Sequence, residues 1–298
     1  MLQKQNPKNN AIKVYVKDGL YPRAEAKISV FDSAVQGGDA VWEGLRVYPE
    51  GIVCLDQHLT RLQESAKTLA FVDIPSKPDI KKAIKMTLDA NGMNDETHIR
   101  LTLTRGEKIT SGMDPRLNQN GSCLIVLAEW KPLVYDNNSG IKVLSTSQRR
   151  NAPQYLDSKI HHANLLNNII AKIQANIAGK DAGLMLDDRG FVAELNGSNL
   201  FMVKEGKVLT PYAHACLPGI TRATVLKLCQ KNNIEILEQD ITLSQLYNAD
   251  GVFATGTMGE LTPVVEIDGR EIEKDGSLQQ QVLELFSNNI RSFCESLA

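Results

Sequence analysis

The sequence predicts an α+β fold of two domains, and three observations carry that expectation. Segments that alternate apolar and polar residues with a period of two fall close to one another in the chain, as locally pairing strands do. The helices are expected to pack outside these locally paired strands, which argues for α+β domains and against a doubly wound parallel sheet. Residues 131–140 then turn to Pro, Asp, Asn, Ser and Gly, the composition of a connection between domains.

Residues 11–16 alternate and read as a strand. Residues 55–71 read as a helix, because Leu55, Leu59, Leu62, Ala66 and Leu69 fall on one face at helical spacing. A second helix over 77–91 stops at Gly92, alternation returns over 98–104, and 122–130 is a further apolar strand. Beyond the connection, strands are expected at 141–146, 182–186, 191–195, 200–204 and 251–254. Lys204-Glu-Gly-Lys207 is a hairpin turn into a strand at 208–210. Helices are expected at 163–177, 221–232 and 277–296. The expected division is a small N-terminal domain over 1–130, a connection over 131–140 and a large C-terminal domain over 141–298. No internal repeat or low-complexity tract interrupts it.

Composition narrows the function classes. With 298 residues and 42% hydrophobic content the chain can bury a sizeable core. Thirty-three basic residues against thirty-five acidic ones show no patch suited to a phosphate backbone, so nucleic acid is not expected as a partner. The first residues are polar, without the apolar stretch of a signal peptide, and no run is long enough to span a bilayer. Cysteines 54, 123, 216, 229 and 294 are odd in number and scattered, with no C-x-x-C pair. A reduced, cytoplasmic setting is therefore expected, with no membrane and no metal site.

Two residues carry the chemistry. Lys159, in Tyr155-Leu-Asp-Ser-Lys-Ile-His-His-Ala-Asn164, ends an extended segment just before an amphipathic helix, where a side chain can point into a cleft. It reads as a surface lysine or as an amine able to bind a carbonyl cofactor and then move a proton. Glu194 is a lone carboxylate within Phe191-Val-Ala-Glu-Leu195. It is either the polar side of a half-exposed strand or a buried acid that needs a cationic partner, such as a ring nitrogen. Pyridoxal phosphate would use both groups, with the acid keeping the ring protonated as an electron sink.

Anion-binding turns lie in the same half. Gly219-Ile-Thr-Arg-Ala223 opens onto a helix, with Thr221 expected at the N-cap, and its free N–H groups suit a phosphate or an ordinary capped helix. Residues 254–260 (Ala-Thr-Gly-Thr-Met-Gly-Glu) form a second Gly/Thr loop. Arg61 lies off the apolar stripe of the 55–71 helix, as a solvated cation or as a phosphate partner. His161 and His162 are adjacent and project to different sides, so as a pair they make poor metal ligands.

Together these segments resemble the fold-type IV, or class IV, pyridoxal-phosphate aminotransferases over about residues 35–273. The matching pieces, in family order, are Trp42-Glu-Gly-Leu-Arg46, His58-Leu-Thr-Arg-Leu62, His98-Ile-Arg100, Ser158-Lys159, Val192-Ala-Glu-Leu-Asn-Gly-Ser-Asn-Leu-Phe201, Pro218-Gly-Ile-Thr-Arg222 and Gly256-Thr-Met-Gly-Glu-Leu-Thr-Pro263. The resemblance implies two α/β-type domains with the active site at their interface, in a homodimer or larger homo-oligomer. It implies that Lys159 is the cofactor's lysine and Glu194 the partner of its ring nitrogen. Arg61, Ile220, Thr221 and Thr257 match phosphate contacts, and Leu217 the residue against the ring. Gly37, Trp42, His98, Arg100, Asn164 and Met258 fall at substrate positions.

The implied reaction moves an amino group between an amino acid and a 2-oxo acid. The segments at 42–46 and 256–263 are most similar to the branched-chain L-amino acid enzymes, with 2-oxoglutarate as acceptor. Three positions depart from them: Asn164, Gly37 and His98 stand where tyrosines are usual. Asn164-Leu-Leu-Asn-Asn168, Thr104-Arg-Gly106 and Asp114-Pro-Arg116 resemble the D-amino acid branch, and an (R)-amine transaminase or an aminodeoxychorismate lyase-like enzyme shares the same lysine.

Overall fold

The computed structural model describes residues 5–273 and 276–297. The first four residues of the polar N-terminal stretch and the last residue of the expected C-terminal domain lie outside them. The chain is mixed α+β and forms two compact units.

Among the described residues, the first unit takes in the chain up to Pro132, together with Ile160–Asn164 and residues 291–297. Its strands are β1 (Lys13–Val16), β2 (Gly19–Pro22), β3 (Ala40–Tyr48), β4 (Gly51–Val53), β5 (Thr97–Thr104) and β6 (Cys123–Trp130). They pair antiparallel in the order β4-β3-β5-β6-β1-β2, and a short strand at Cys294–Glu295 is added outside β4. Its helices are α1 (Ser33–Gly37), α2 (Leu55–Thr68) and α3 (Lys77–Asn91).

The predicted stripe of α2 is real. Leu55, Leu59, Leu62 and Ala66 share a cluster with Ile80, Ile84 and Leu88 of α3 and with Leu45, Ile99 and Leu101 of the sheet. Fully burying each such Leu or Ile contributes about 1.5–3 kcal/mol, which is what holds the two helices to this sheet. Helix α3 starts where Ser76 accepts from the Asp79 N–H and stops at Gly92, whose φ of 65° belongs to the left-handed region.

The second unit comprises Leu133–Lys159 and Leu165–Ile290. It carries β7 (Ile141–Ser145), α4 (Leu166–Ile177), β8 (Ala182–Leu186), β9 (Val192–Leu195), β10 (Asn199–Lys204), β11 (Lys207–Thr210), α5 (Ile220–Lys231), β12 (Ile236–Glu238), α6 (Leu243–Tyr247), β13 (Gly251–Gly256), β14 (Glu260–Ile267), β15 (Arg270–Glu271) and α7 (Ser277–Asn289). The sheet runs β12-β11-β10-β13-β14-β7-β8-β9, with β15 beside β14. Parallel pairs at β11/β12, β14/β7 and β7/β8 sit among antiparallel ones. Buried Leu184, Leu195, Leu200, Met202, Val252 and Val264 form its core.

Four expected elements are corrected. Helix α4 begins at Leu166 and not at 163, because β3 claims the preceding backbone: the Trp42 N–H donates to the His161 carbonyl at 2.9 Å, and the Ala163 N–H to the Ala40 carbonyl at 2.7 Å. Helix α2 stops at Thr68, short of 71, since Arg105 captures the Leu69 and Ala70 carbonyls at 2.7 and 3.1 Å. Helix α7 ends at Asn289, after which Ile290–Phe293 tighten to 3-10 and Cys294–Glu295 pair with β4. The loop expected at 254–260 is a tight hairpin: β13 runs on to Gly256 and β14 starts at Glu260.

Candidate active site

In the second unit the site is built around Glu194. All four residues of β9 are buried, so the carboxylate is not on a half-exposed face. Arg150, just past β7, donates from Nε to Glu194 Oε1 at 2.6 Å, with only 6% of either side chain exposed. Asn199, the first residue of β10, donates from Nδ2 to Glu194 Oε2 at 3.1 Å. Burial pushes the Glu194 carboxyl above the usual carboxylate range, while Arg150 and a backbone bond from Leu217 pull the other way. An ionised carboxylate accepts about four hydrogen bonds, so these three donors leave room for one more.

The same Asn199 amide donates to the Leu217 carbonyl at 2.8 Å, reaching the turn that opens α5. There the structure corrects one expectation. The N-cap is Gly219, not Thr221, which stands one residue inside the helix and caps nothing. Gly219 has no side chain to occupy the first-turn N–H groups, so those of Ile220 and Thr221 are offered outward with the positive end of the helix dipole. Glycine is required for contact and not for backbone angle: a Cβ at Gly219 would lie 2.1 Å from Asn199 Oδ1, although its φ is an ordinary −64°.

Lys159 ends the first stretch of this unit, with 46% of its side chain exposed and Asp157 3.9 Å from its amine. Buried Cys216 links it electrostatically to the rest. Burial pushes that thiol up to about 12, Glu194 adds to the rise, and Arg222, Arg150 and Lys159 oppose it. Leu217, Ile220 and Thr221 are half-buried along the α5 turn, and Thr257 and Met258 lie in the β13–β14 hairpin. The Met258 carbonyl accepts from the Val134 N–H at 2.9 Å. Thr255 stands opposite Asn199 in the ladder and so shares its face; among the described residues its hydroxyl has no partner.

The first unit holds Arg61, Gly37, Trp42, His98, Arg100 and Asn164. Arg61 is not a solvated cation: it is 14% exposed, and its Nε and Nη2 donate to Glu43 at 2.8 and 2.7 Å. Glu43 faces α2 between Val41 and Leu45, both fully buried. His58 Nδ1 approaches the same carboxylate at 2.6 Å and His161 Nδ1 at 3.0 Å. Burial works against charge on Glu43, yet His161, Arg61 and His58 hold its carboxyl well below the usual range.

The opposite face of β3 carries Trp42, Gly44 and Arg46, paired with Thr102, Arg100 and His98 of β5. The Arg100 guanidinium lies 3.4 Å from the Trp42 ring centre, and burial lowers it to about 10. His98 is lowered to about 3 by burial and by Lys131, Arg100 and Arg46, so it is neutral near pH 7. Gly37 is exposed at the end of α1, and Asn164 is exposed beside Gly38.

Sequence reasoning assigned no role to Arg150, Asn199, Glu43 or His58. Arg150 sits in an Arg-Arg pair, and its partner comes 44 residues later. Asn199 and Glu43 lay inside segments noted for their neighbours. Only Glu43's isolation in Val41-Trp-Glu-Gly-Leu45 could have marked it; Asn199, after Asn196-Gly-Ser198, reads as part of a polar turn.

Known proteins agree with this architecture. The chain is 58% identical over 266 residues to branched-chain-amino-acid aminotransferase-like protein 2 of Arabidopsis thaliana, covering 89% of this chain and 48% of that protein. It thus spans about half the length of the first curated relatives it matches. It is 32% identical over 289 residues to D-alanine aminotransferase of Bacillus licheniformis, covering 94% and 98%. Its fold superposes on a T.th. branched-chain amino acid aminotransferase, solved with pyridoxamine 5'-phosphate, with a TM-score of 0.87, 31% identity and 95% of each chain covered. The family described as amino-transferase class IV matches residues 40–267, most of both units. The chain belongs to the class IV aminotransferases.

Proposed function

We propose that this chain is a pyridoxal-phosphate-dependent aminotransferase, moving an amino group between an amino acid, branched-chain L-amino acids first, and a 2-oxo acid such as 2-oxoglutarate. The supporting observation is the Glu194–Asn199–Leu217 chain, which joins a buried carboxylate with one acceptor position to spare to an uncapped helix start. Those two ends suit a protonated ring nitrogen and a phosphate, and the orphaned Thr255 hydroxyl adds a polar atom on the Asn199 face. When bound, the cofactor supplies the electron sink that lets an α-proton leave.

Lys159 would hold the cofactor through its amine, and the same amine would carry the proton at the substrate α-carbon. Glu194 keeps the ring nitrogen protonated. The Ile220 and Thr221 N–H groups, Thr257 and Arg61 bind the phosphate, with Glu43 fixing the Arg61 guanidinium. Leu217 packs against the ring. Gly37, Trp42, His98, Arg100, Asn164 and Met258 shape substrate selection. A homodimer or larger homo-oligomer fits the apolar stripe that α4 exposes, Leu166, Ile169, Ile170, Ile173 and Ile177. Five free cysteines fit a reducing cytoplasm. Among the described residues no helix is long and apolar enough to cross a membrane.

The test is a half-reaction panel. Purified protein supplied with pyridoxal phosphate should show a visible band that is absent in Lys159→Ala. L-leucine should discharge that band to the pyridoxamine form. Discharge by D-alanine but not L-leucine would favour the second reading, D-amino acid transfer, which the Bacillus licheniformis relative and Asn164 support. Discharge by an (R)-amine alone would point to amine transfer. Pyruvate release without the pyridoxamine form would make it a lyase. A band that no amine discharges would overturn transamination.

A further inference from the structure

We infer that Arg150 is a positioning residue that keeps Glu194 charged and aimed, with Asn199 tying that carboxylate to the α5 turn so that both ends of the cofactor site are held as one piece. This role presupposes the cofactor chemistry proposed for Glu194.

A carboxylate buried as deeply as Glu194 takes up a proton unless a cation compensates it. Arg150 is that cation, at 2.6 Å, and it is itself held from three sides. Its backbone N–H donates to the Leu186 carbonyl at 2.8 Å, and its Nη1 to Asn167 Oδ1 at 3.3 Å. Asn167, on α4, is anchored in turn by donating to the Arg149 carbonyl at 2.7 Å. The guanidinium therefore has little freedom to leave.

Among the described residues the hydrogen-bond partners of Glu194 are donors, Arg150, Asn199 and the backbone at Leu217, with the buried Cys216 thiol also near enough to feel its charge. A protonated Glu194 would present an O–H to these donors, so they favour the ionised form against the burial that opposes it. The ionised form leaves both oxygens as acceptors for a ring N–H and adds the negative charge that stabilises the ring's positive charge. Asn199 then sets the spacing. One amide nitrogen donates both to Glu194 and to Leu217, and its oxygen abuts Gly219 closely enough that a methyl group there would collide.

A double-mutant cycle tests the role. Wild type, Arg150→Met, Glu194→Gln and the double variant are freed of cofactor, and pyridoxal phosphate binding is followed by protein fluorescence. Arg150→Met should weaken binding roughly tenfold to a hundredfold, the value of a hydrogen bond to a charged group. In the Glu194→Gln background the same substitution should matter less than about twofold, within ordinary additivity error. Arg150→Lys should recover part of the loss. Infrared spectroscopy gives a second readout that needs no activity. A protonated carboxylic acid band should appear in cofactor-free Arg150→Met and vanish when Glu194→Gln is added.

Equal losses in both backgrounds would make Arg150 a purely structural residue and overturn the proposal. So would unchanged binding by Arg150→Met. If Arg150→Met does not fold, Asn199→Ala and Arg150→Lys carry the same cycle. Wild type that fails to bind the cofactor saturably would sink the functional reading, and this role with it.

Discussion

Glu43 meets His161 at 3.0 Å, two residues beyond Lys159 in the chain, inside a cluster where one buried carboxylate is shared by two histidines and an arginine. Removing one member of such a cluster strands the others. Glu43→Gln should therefore cost about 3–5 kcal/mol in urea unfolding at pH 7, against the 0–1 kcal/mol of a surface pair. A loss below about 1 kcal/mol would show that the cluster is not energetically buried. The sign with pH is set as well. The folded-state carboxyl titrates below its ordinary value, so its contribution is present above about 4.5 and is lost as pH falls through the folded value.

His98 gives the chain an acid-sensitive point. Its folded-state value is about 3 against 6.5 for a free histidine, so between those values the unfolded chain binds a proton that the folded one does not. Stability should fall as pH drops from about 6.5 toward 3, by an amount on the order of 5 kcal/mol if fully realised. Urea unfolding at pH 7, 6, 5 and 4 should show a shallower decline for His98→Gln than for wild type. Parallel curves would remove His98 as the cause.

Gly219→Ala separates packing from backbone strain. The φ of −64° suits alanine, so any penalty comes from the collision with Asn199. We expect a loss of about 1–3 kcal/mol in thermal or urea unfolding, together with weaker cofactor binding. Gly197→Ala, where an added Cβ meets nothing within 4 Å, serves as the control and should be near neutral. Equal effects from both substitutions would contradict the close approach of Asn199.

The exposed stripe on α4 should lie in a subunit interface. Ile173→Glu at its centre should shift the mass measured by light scattering toward the monomer, with the circular dichroism of the wild type retained. An unchanged mass would place the interface elsewhere.

Legibility in the sequence tracked the range of the interaction. The α2 stripe and the Gly92 stop were readable, because both are set by residues within a few turns of each other. Lys159 and Glu194 stood out locally. Their partners did not: Arg150 meets Glu194 only because β7 and β9 flank β8, and His58 and Arg61 of α2 are drawn inward by a glutamate on β3. The helix expected from 163 failed for the same reason, since no local pattern reveals that the edge of β3 will claim residues 161–163. Thr221 misled because a threonine hydroxyl can cap a helix start, whereas here the N-cap is Gly219 and the backbone is left bare.

The segment from Ile160 to Asn164, hydrogen-bonded along the edge of β3, has a consequence for the order in which the protein is made. The sheet of the first unit spans β1 to β6, yet it is completed by five residues that follow Lys159 and by a strand at Cys294–Glu295. A nascent chain emerging from the ribosome can assemble that sheet early, with N-terminal regions folding first. It leaves two backbone edges waiting until residue 164, and then residue 295, have been synthesised. Lys159 is therefore anchored on its C-terminal side only after translation has passed it, and the first unit, begun earliest, is among the last parts to close.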